Sequence, residues 1–442
     1  MKKLLGGLRV RVRRVPHWVL PCVGLFSIIF TVFWVRLDPD FGWHLQSGRD
    51  ILRHGIPAHD IFTYTAANFP WINHEWLSDI IIVGAYGVGG FAGVAVMFAA
   101  IWTAALAVAS RSARWPVLAV GVAAVLDTIT ARPNAWTALF FALVLLAVSK
   151  KIYWPLVPLF LLWANLHGGF VIGLLVLLAA AVRDRKYRWV FAACVLATFV
   201  NPYGPRVYVE IWRTLSDANL RTNVVEWRPM TVGLLSGLFI VMYLGIGSVS
   251  GWRQRKFILP SLMLITALAS MRQFPLFVVA ALGLLSERYD RLRGHLSLKS
   301  RLQTLAVPTL ALVVVAMPVL AIISHPDNQS PVAQVAQLRE QPCHGNLFND
   351  YDFGGYLIWQ LPQTKIYIDG RMPSWKYAGE NYLANWMRDL TDVRARNSDF
   401  AQYNIGCVLI RPKHAEIVRD LKADGWTVTS ADAQAILLRR PN

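Results

Sequence analysis

Long apolar runs separated by short polar connections dominate the pattern of this chain. Val117–Leu126 and Ala135–Ser149 contain no charged residue, and the first run, Trp18–Val35, is long enough to cross a bilayer as a helix. The pattern predicts a mainly α-helical, polytopic transmembrane bundle of about eleven spans. The spans are expected at 18–35, 91–110, 115–131, 134–149, 152–165, 168–182, 189–201, 231–249, 257–271, 274–287 and 303–323.

The pattern changes after the last run, because residues 325–442 carry polar and charged side chains at the density of a soluble domain. KIYID (365–369) and CVLI (407–410) have the character of strands, and AEIVRDLKADG (415–425) that of an amphipathic helix that stops at its glycine. WTVTSADAQAILLRR (426–440) predicts two strands around a turn. We therefore expect a transmembrane domain at 1–324 and a small α/β domain at 325–442.

The connection after the first run, residues 37–90, is predicted to contain two helices that lie along the membrane surface. The first, DFGWHLQSGRDILRHG, is amphipathic and stops at Gly55, and the second, HEWLSDIIIVGAYGVGG, ends in glycines. If the second continued into the span at 91–110, Glu75 and Asp79 would begin that span. An aspartate at mid-bilayer costs roughly 2.5–3.5 kcal/mol on insertion scales, so both acids are expected at the outer interface.

Composition and charge give the orientation. The chain is 55% hydrophobic and 16% charged, with a mean hydropathy of +0.41 and a net charge of +18. If the spans alternate, 22 of the 44 lysines and arginines lie on the side of the N-terminus and nine on the opposite side up to residue 324. The positive-inside rule then places the N-terminus in the cytoplasm and the 325–442 domain outside. The charge is explained without nucleic acid, and the first run, which lacks a small-residue cleavage site, is expected to stay uncleaved.

The same alternation collects the polar and aromatic motifs on the outer side. Any one of them is typical of a helix end or turn, but seven on one face indicate where chemistry takes place. They are DPDFGWH (38–44), WINHEWLSD (71–79), ARPNAW (131–136), ANLHGGF (164–170), NPYGPR (201–206), VEWRPM (225–230) and MRQFP (271–275).

The acidic pair Asp38 and Asp40 stands directly after the first span. One carboxylate is suited to act as a general base, and the other to hold a divalent cation or to change the pKa of its neighbour. The alternative is a helix cap followed by a turn proline, Pro39. The surrounding loop also contains histidines, Glu75 and three tryptophans, which favours the chemical reading.

In layout and in these blocks the chain resembles the GT-C superfamily of membrane glycosyltransferases, including dolichyl-phosphate-mannose mannosyltransferase-like enzymes that use polyprenyl-phosphate sugars. DPDFGWHLQSGRDIL, WINHEWLSD, WANLHGGF, NPYG and DYDFGGYLIW…IDGR also look like a widespread bacterial set of such proteins. The resemblance implies an inverting transfer at the outer face of the bacterial cytoplasmic membrane. A sugar leaves a polyprenyl-phosphate donor for a glycan, lipid or protein acceptor, and the donor's tail lies among membrane lipids.

Carried onto this sequence, the resemblance makes Asp40 the favoured base, and Asp38 its partner or a ligand of Mg²⁺ or Mn²⁺. Arginines at outer helix ends are candidates for holding the leaving phosphate, with interfacial snorkelling as the alternative for each. The substrate-binding candidates are His44, His74, Glu75, Arg132, His167, Arg228 and Arg272.

Other classes of protein are compatible with parts of this pattern. A transporter is disfavoured because no charge falls convincingly within a span and no inverted repeat is visible. An enzyme like an O-antigen ligase or polymerase would carry its key residues in a long late loop, and a non-catalytic scaffold would use the acidic pair structurally. Cys22 and Cys194 are expected to pack within spans, whereas Cys343 and Cys407 lie in the outer domain, where a disulfide is permitted but not required.

Overall fold

The computed structural model describes residues 19–110, 115–293 and 330–441. The predicted span at 303–323 and the N-terminal tail lie outside these residues. The helices of the membrane part follow the apolar runs. They are α1 (Val19–Val35), α2 (Phe41–His54), α3 (Trp76–Ser110), α4 (Trp115–Val125), α5 (Asn134–Lys150), α6 (Leu156–Leu166), α7 (Phe170–Ala181), α8 (Arg185–Thr198), α9 (Arg206–Ser216), α10 (Ala218–Asn223), α11 (Leu234–Ser250), α12 (Ile258–Ala269) and α13 (Phe274–Arg293).

One helix within the described ranges, α3, is both long and apolar enough to cross a membrane by itself. Shorter apolar helices are Cys22–Val35, Asn134–Lys150, Leu156–Leu166, Phe170–Ala181 and Leu234–Val249. The number of spans therefore stays a prediction. The helices share one core of large buried side chains, among them Trp102, Phe141, Trp163 and Phe277.

Residues 37–90, named the first outer connection after their predicted side, contain the two predicted helical segments. Helix α2 ends at Gly55, whose φ of 84° favours glycine. The second segment begins at Trp76 and runs into the predicted span at 91–110, so the hydrogen-bonding pattern makes one helix of the two. Its backbone departs from helical angles at Gly89 and Gly90, which is where the sequence predicted an end.

Residues 330–441, named the outer region after their predicted side, have an α/β arrangement. Its strands are β1 (Asn346–Asn349), β2 (Lys376–Tyr377), β3 (Glu380–Asn381), β4 (Ile405–Ile410), β5 (Thr427–Ala431) and β6 (Ile436–Arg439). Its helices are α14 (Val332–Glu340), α15 (Gly354–Gln360), α16 (Tyr382–Thr391), α17 (Val393–Gln402) and α18 (Ala415–Ala423). The main sheet has the order β1-β4-β6-β5, with β1 parallel to β4 and the other pairs antiparallel.

The sequence predicted most of these outer elements. CVLI lies in β4, AEIVRDLKA forms α18, and β5 and β6 form the expected antiparallel pair. The prediction of a strand at KIYID (365–369) is wrong, because this segment makes only isolated bridges through Ile366. Its neighbour Tyr367 gives its backbone N–H to the side chain of Asn349, which takes the place of a strand partner. Cys343 and Cys407 form a disulfide with their Cα atoms 5.7 Å apart, within the limit of about 7 Å that disulfide geometry allows.

The first outer connection docks onto the outer region. Thr63 makes a parallel bridge with Ile366, and the backbone N–H of Tyr64 donates to the carbonyl of Ile366 at 3.2 Å. Asp60 and Arg371 form a buried ion pair of 2.8 Å across the same contact. The acidic pair that follows the first helix is thereby held between the membrane helices and the outer region.

Candidate active site

A cavity of about 990 Å³ lies between the outer ends of the membrane helices and the outer region. The carboxyl ends of the parallel strands β1 and β4 open onto it, because Asp350 follows the first and Lys413 and His414 follow the second. Eight of the nine residues predicted as site residues line it. They are Asp40, His44, His74, Glu75, Arg132, His167, Arg228 and Arg272.

Asp38, the ninth, lies just behind the cavity wall and is 2% exposed. Its Oδ1 accepts the backbone N–H of Asp40 at 2.9 Å, and its carbonyl accepts the N–H of Phe41, the first residue of α2. The turn that the cap interpretation predicted is therefore present. It turns the Asp40 side chain toward the cavity while Asp38 stays buried.

Arg132 joins three acids. Its Nε lies 3.1 Å from Asp38 Oδ2, its Nη1 lies 3.0 Å from Asp40 Oδ2, and its Nη2 lies 2.7 Å from Glu226 Oε2. The arginine belongs to the turn between α4 and α5, where its Nε also donates to Thr130 Oγ1 at 2.9 Å. Planar guanidinium groups suit such fixed multidentate contacts.

The Asp40 carboxyl has the ionisation of a general base. Burial, helped by the nearby Asp38 and Glu226, raises the pKa of Asp40 to about 6, although Arg132 and His44 oppose the change. A base with a pKa near the working pH combines a large ionised fraction with a real affinity for the proton. Asp40 is therefore suited to take a proton from an acceptor group in the cavity.

Glu226 connects two arginines on the opposite wall. Its other oxygen, Oε1, lies 2.5 Å from Arg272 Nη1, and the Arg272 guanidinium lies over the ring of Trp227 at 5.1 Å. Burial alone would raise the pKa of Glu226, but Arg132 and Arg272 lower it, so that Glu226 is ionised. Two guanidinium groups thus converge on one anionic position in the cavity.

A second polar network supports the floor of the cavity. The Nδ1 of His44 lies 2.6 Å from Asp79 Oδ1, and Asn73 donates to the other Asp79 oxygen at 2.7 Å. Although burial opposes it, the Asp79 carboxylate raises the pKa of His44. Asp79 lies at the start of α3 and is fully buried, so His44 supplies the contact that a buried carboxylate needs.

His167 and Glu75 form the adjoining part of this network. Burial lowers the pKa of His167 to about 3, so the ring is neutral. Its Nδ1 accepts the backbone N–H of Gly169 at 3.0 Å, which leaves the proton on Nε2, 3.4 Å from Glu75 Oε1. Burial alone would raise the pKa of Glu75, but the neighbouring His74 and then His44 lower it to about 2.

The arrangement of donors in front of the acidic pair bears on the predicted divalent cation. Within the described ranges, no group of three or more His, Cys, Asp or Glu side chains is arranged to hold a metal ion. Asp38 Oδ2 and Asp40 Oδ2 both face the Arg132 guanidinium, which stands where a bridging cation would bind. These residues as placed do not form a cation site, and dependence on Mg²⁺ or Mn²⁺ stays a prediction.

The structure also separates the predicted residues by what they contact. The side chain of Arg228 donates to the backbone carbonyl of Thr222 at 3.0 Å, whereas Arg132 and Arg272 both contact Glu226 in the cavity. His74 lies beside His167, with ring centroids 6.3 Å apart. Glu226 was not among the predicted site residues, although its motif VEWRPM was expected on the same side as the acidic pair.

Comparison with known proteins identifies the fold. The sequence matches no known family and no curated protein sequence. The structure is similar to the archaeal oligosaccharyltransferase AglB from Archaeoglobus fulgidus, solved with an inhibitory peptide and a dolichol-phosphate, at a TM-score of 0.57 and 11% identity over 89% of this chain and 69% of that one. It is also similar to ArnT from Cupriavidus metallidurans in the apo state, at a TM-score of 0.51 and 13% identity over 96% of this chain and 99% of that one. The fold is therefore similar to that of these two proteins, which agrees with the layout that the sequence resemblance implied.

Proposed function

We propose that this protein is an inverting glycosyltransferase that moves a sugar from a polyprenyl-phosphate donor to an acceptor at the outer face of the cytoplasmic membrane. The observation that carries the proposal is the position of Asp40, a carboxylate with the ionisation of a base that faces a large cavity beside convergent arginines. AglB, of the same fold, was solved with a dolichol-phosphate, which supports a lipid phosphate as the donor's carrier.

In the proposed reaction, Asp40 takes a proton from a hydroxyl or amide of the acceptor. The acceptor atom then forms a bond to the anomeric carbon, while the bond from that carbon to the phosphate oxygen breaks on the opposite face. The electron pair leaves on the polyprenyl phosphate, and the configuration of the sugar inverts. The proton remains on Asp40 until it exchanges with water.

Arg132 and Arg272 are proposed to bind the departing phosphate. They already converge on one carboxylate, that of Glu226, and a phosphate presents similar oxygens with more charge. Donors arranged in advance around developing charge lower the barrier without reorganisation. Asp38 holds the Asp40 backbone and one edge of Arg132, which makes it a positioning residue rather than the base.

Three side chains are proposed to orient the sugar, namely Glu75, His44 and the neutral His167. All three line the same cavity. Thr137 and Gly169 fix the His167 ring, Asp79 fixes the His44 ring, and His167 Nε2 lies 3.4 Å from Glu75. The donor's hydrocarbon chain would lie against the membrane helices.

The experiment is transfer in reconstituted liposomes with a polyprenyl-phosphate sugar and a candidate acceptor. Asp40→Asn keeps the shape and removes the base, so transfer should fall by about 10²–10⁴-fold while expression and insertion are unchanged. Asp50→Asn is the matched control, because Asp50 lies on the same helix α2 but pairs with the exposed His54. Near-normal transfer by Asp40→Asn would show that the acidic pair is only a cap and turn, whereas no transfer by the wild type would favour a scaffold protein.

A further inference from the structure

Asp40 does not face water on every side, because a glycine of the outer region lies beneath its carboxylate. A Cβ added to Gly370 would overlap Asp40 Oδ1, and would lie 3.1 Å from Cγ and 3.6 Å from Oδ2 of the same residue. The three nearest atoms to that position all belong to Asp40. The space that a side chain at position 370 would need is therefore filled by the carboxylate.

Gly370 is held in place from both sides. Asp369 Oδ1 accepts from the backbone N–H of Arg371 at 2.9 Å and from its Nε at 2.8 Å. The Arg371 guanidinium also reaches Asp60 at 2.8 Å and lies over the Trp71 ring at 4.5 Å. Since Asp60 and Trp71 belong to the first outer connection, the segment that supplies Asp40 also fixes the glycine that contacts it.

The glycine pair Gly354 and Gly355 makes similar close contacts with Asp369 and with Pro39, the residue before Asp40. A Cβ at Gly355, at the start of α15, would overlap the carbonyl oxygen of Pro39 and lie 3.5 Å from Asp40 Cα. A Cβ at Gly354 would lie 2.5 Å from the Cβ of Asp369. The blocks DYDFGGY (350–356) and IDGR (368–371) therefore pack against each other and against the acidic pair, which is far from both in sequence.

We propose that Gly370 is a positioning residue for the Asp40 carboxylate, so that the outer region completes the catalytic site instead of only covering it. The catalytic role of this site rests on the proposed function, but the contact between Gly370 and Asp40 can be tested without an activity assay. Atoms of Asp40 and Gly370 exclude water from each other, and the Asp40 oxygens are left with Arg132 and the cavity as their remaining neighbours.

The test is a double-mutant cycle in thermal unfolding with Gly370→Ala, Asp40→Ala and the double variant. Gly370→Ala should lower the Tm by at least about 2–4 °C, because added atoms in a filled space destabilise a protein. In the Asp40→Ala background the carboxylate is absent, so the same substitution should change the Tm by less than about 1 °C. Gly84→Ala is the control, because a Cβ at Gly84 meets nothing within 4 Å.

Transfer assays supply the second measurement. Gly370→Ala should reduce kcat on the order of 10²-fold with little change in KM for the donor, as expected when a reacting group is displaced by about 1 Å. The midpoint of the pH–rate profile should also move to lower pH, because the displaced carboxylate is more hydrated. A purely structural defect would leave that midpoint unchanged.

The outcomes separate the two proposals. Equal loss of Tm in both backgrounds, or failure of the double variant to fold, overturns the positioning role of Gly370. A Gly370→Ala protein that fails to fold while the double variant folds supports it. If the cycle shows coupling but Asp40→Asn still transfers sugar, the contact stands and the proposed role of Asp40 as the base fails. If the wild type transfers no sugar, the contact stands and the proposed function fails.

Discussion

Replacing Arg132 with Gln tests whether one guanidinium sets the ionisation of the proposed base. Arg132 lies 3.0 Å from Asp40 Oδ2, and a neighbouring arginine typically lowers the pKa of an aspartate by about 1–3. Removing it should therefore raise the pKa of Asp40 from about 6 to between about 7 and about 9. At pH 7 the ionised fraction would fall from about nine tenths to between about one half and one hundredth.

The expected loss is thus about twofold to a hundredfold at pH 7, and it should be recovered as the pH rises toward about 10. The sign follows from the mechanism, because a base acts in its deprotonated form and a raised pKa moves the rising limb of the profile to higher pH. A second loss, independent of pH, should accompany it because the same guanidinium is proposed to contact the phosphate.

The assay is the initial rate of transfer at saturating donor between pH 5 and pH 10, with kcat and KM separated at each pH. Arg132→Lys is the matched control, since it keeps the positive charge but cannot contact three acids at once. Its midpoint should stay closer to that of the wild type. If Arg132→Gln loses the same factor at every pH, Arg132 does not tune Asp40 and the reasoning fails.

Three further outcomes are expected. Glu226→Gln should bind undecaprenyl phosphate about tenfold more tightly by native mass spectrometry, because a neutral side chain competes less with phosphate for Arg132 and Arg272; weaker binding would show that Glu226 orients the arginines. Cys343→Ser should lose about 2–5 kcal/mol of stability by opening the disulfide to Cys407, whereas Cys22→Ser should not; equal melting curves would contradict this. Reporter fusions after residue 330 should be exported, and cytoplasmic activity there would reverse every assignment of sides.

The sequence could predict which residues meet in the cavity because membrane topology limits the choices. Asp40, Arg132, His167 and Arg272 stand at the ends of different apolar runs, and the predicted alternation of spans puts all of these ends on one side. No fine geometry was needed for this. The positive-inside asymmetry carried most of that prediction.

The contacts that shape Asp40 could not be predicted in this way. Glu226 lies in a short turn, Val225–Trp227, which has no periodic pattern, and its partner Arg132 is 94 residues away. Gly370 has no side chain from which a contact could be predicted, and its role depends on Asp40, which packs against it. KIYID failed as a strand for a related reason. Ile366 makes one bridge to Leu347 of β1 and one to the first outer connection, and the Asn349 side chain takes the place of a continuous strand ladder.

The docking of the first outer connection onto the outer region has a consequence for biosynthesis. The hydroxyl of Tyr64 donates to the carbonyl of Leu347 at 3.0 Å, and the hydroxyl of Thr65 donates to that of Tyr367 at 2.6 Å, across 283 and 302 residues of sequence. At about 5–20 residues per second, a ribosome needs about 15–60 s to make the intervening chain. Through that interval the newly exported acids would lack Gly370 and its neighbours. A growing or truncated chain would therefore lack a complete site until its last quarter has been translated and folded, and under the proposed function it would transfer no sugar before then.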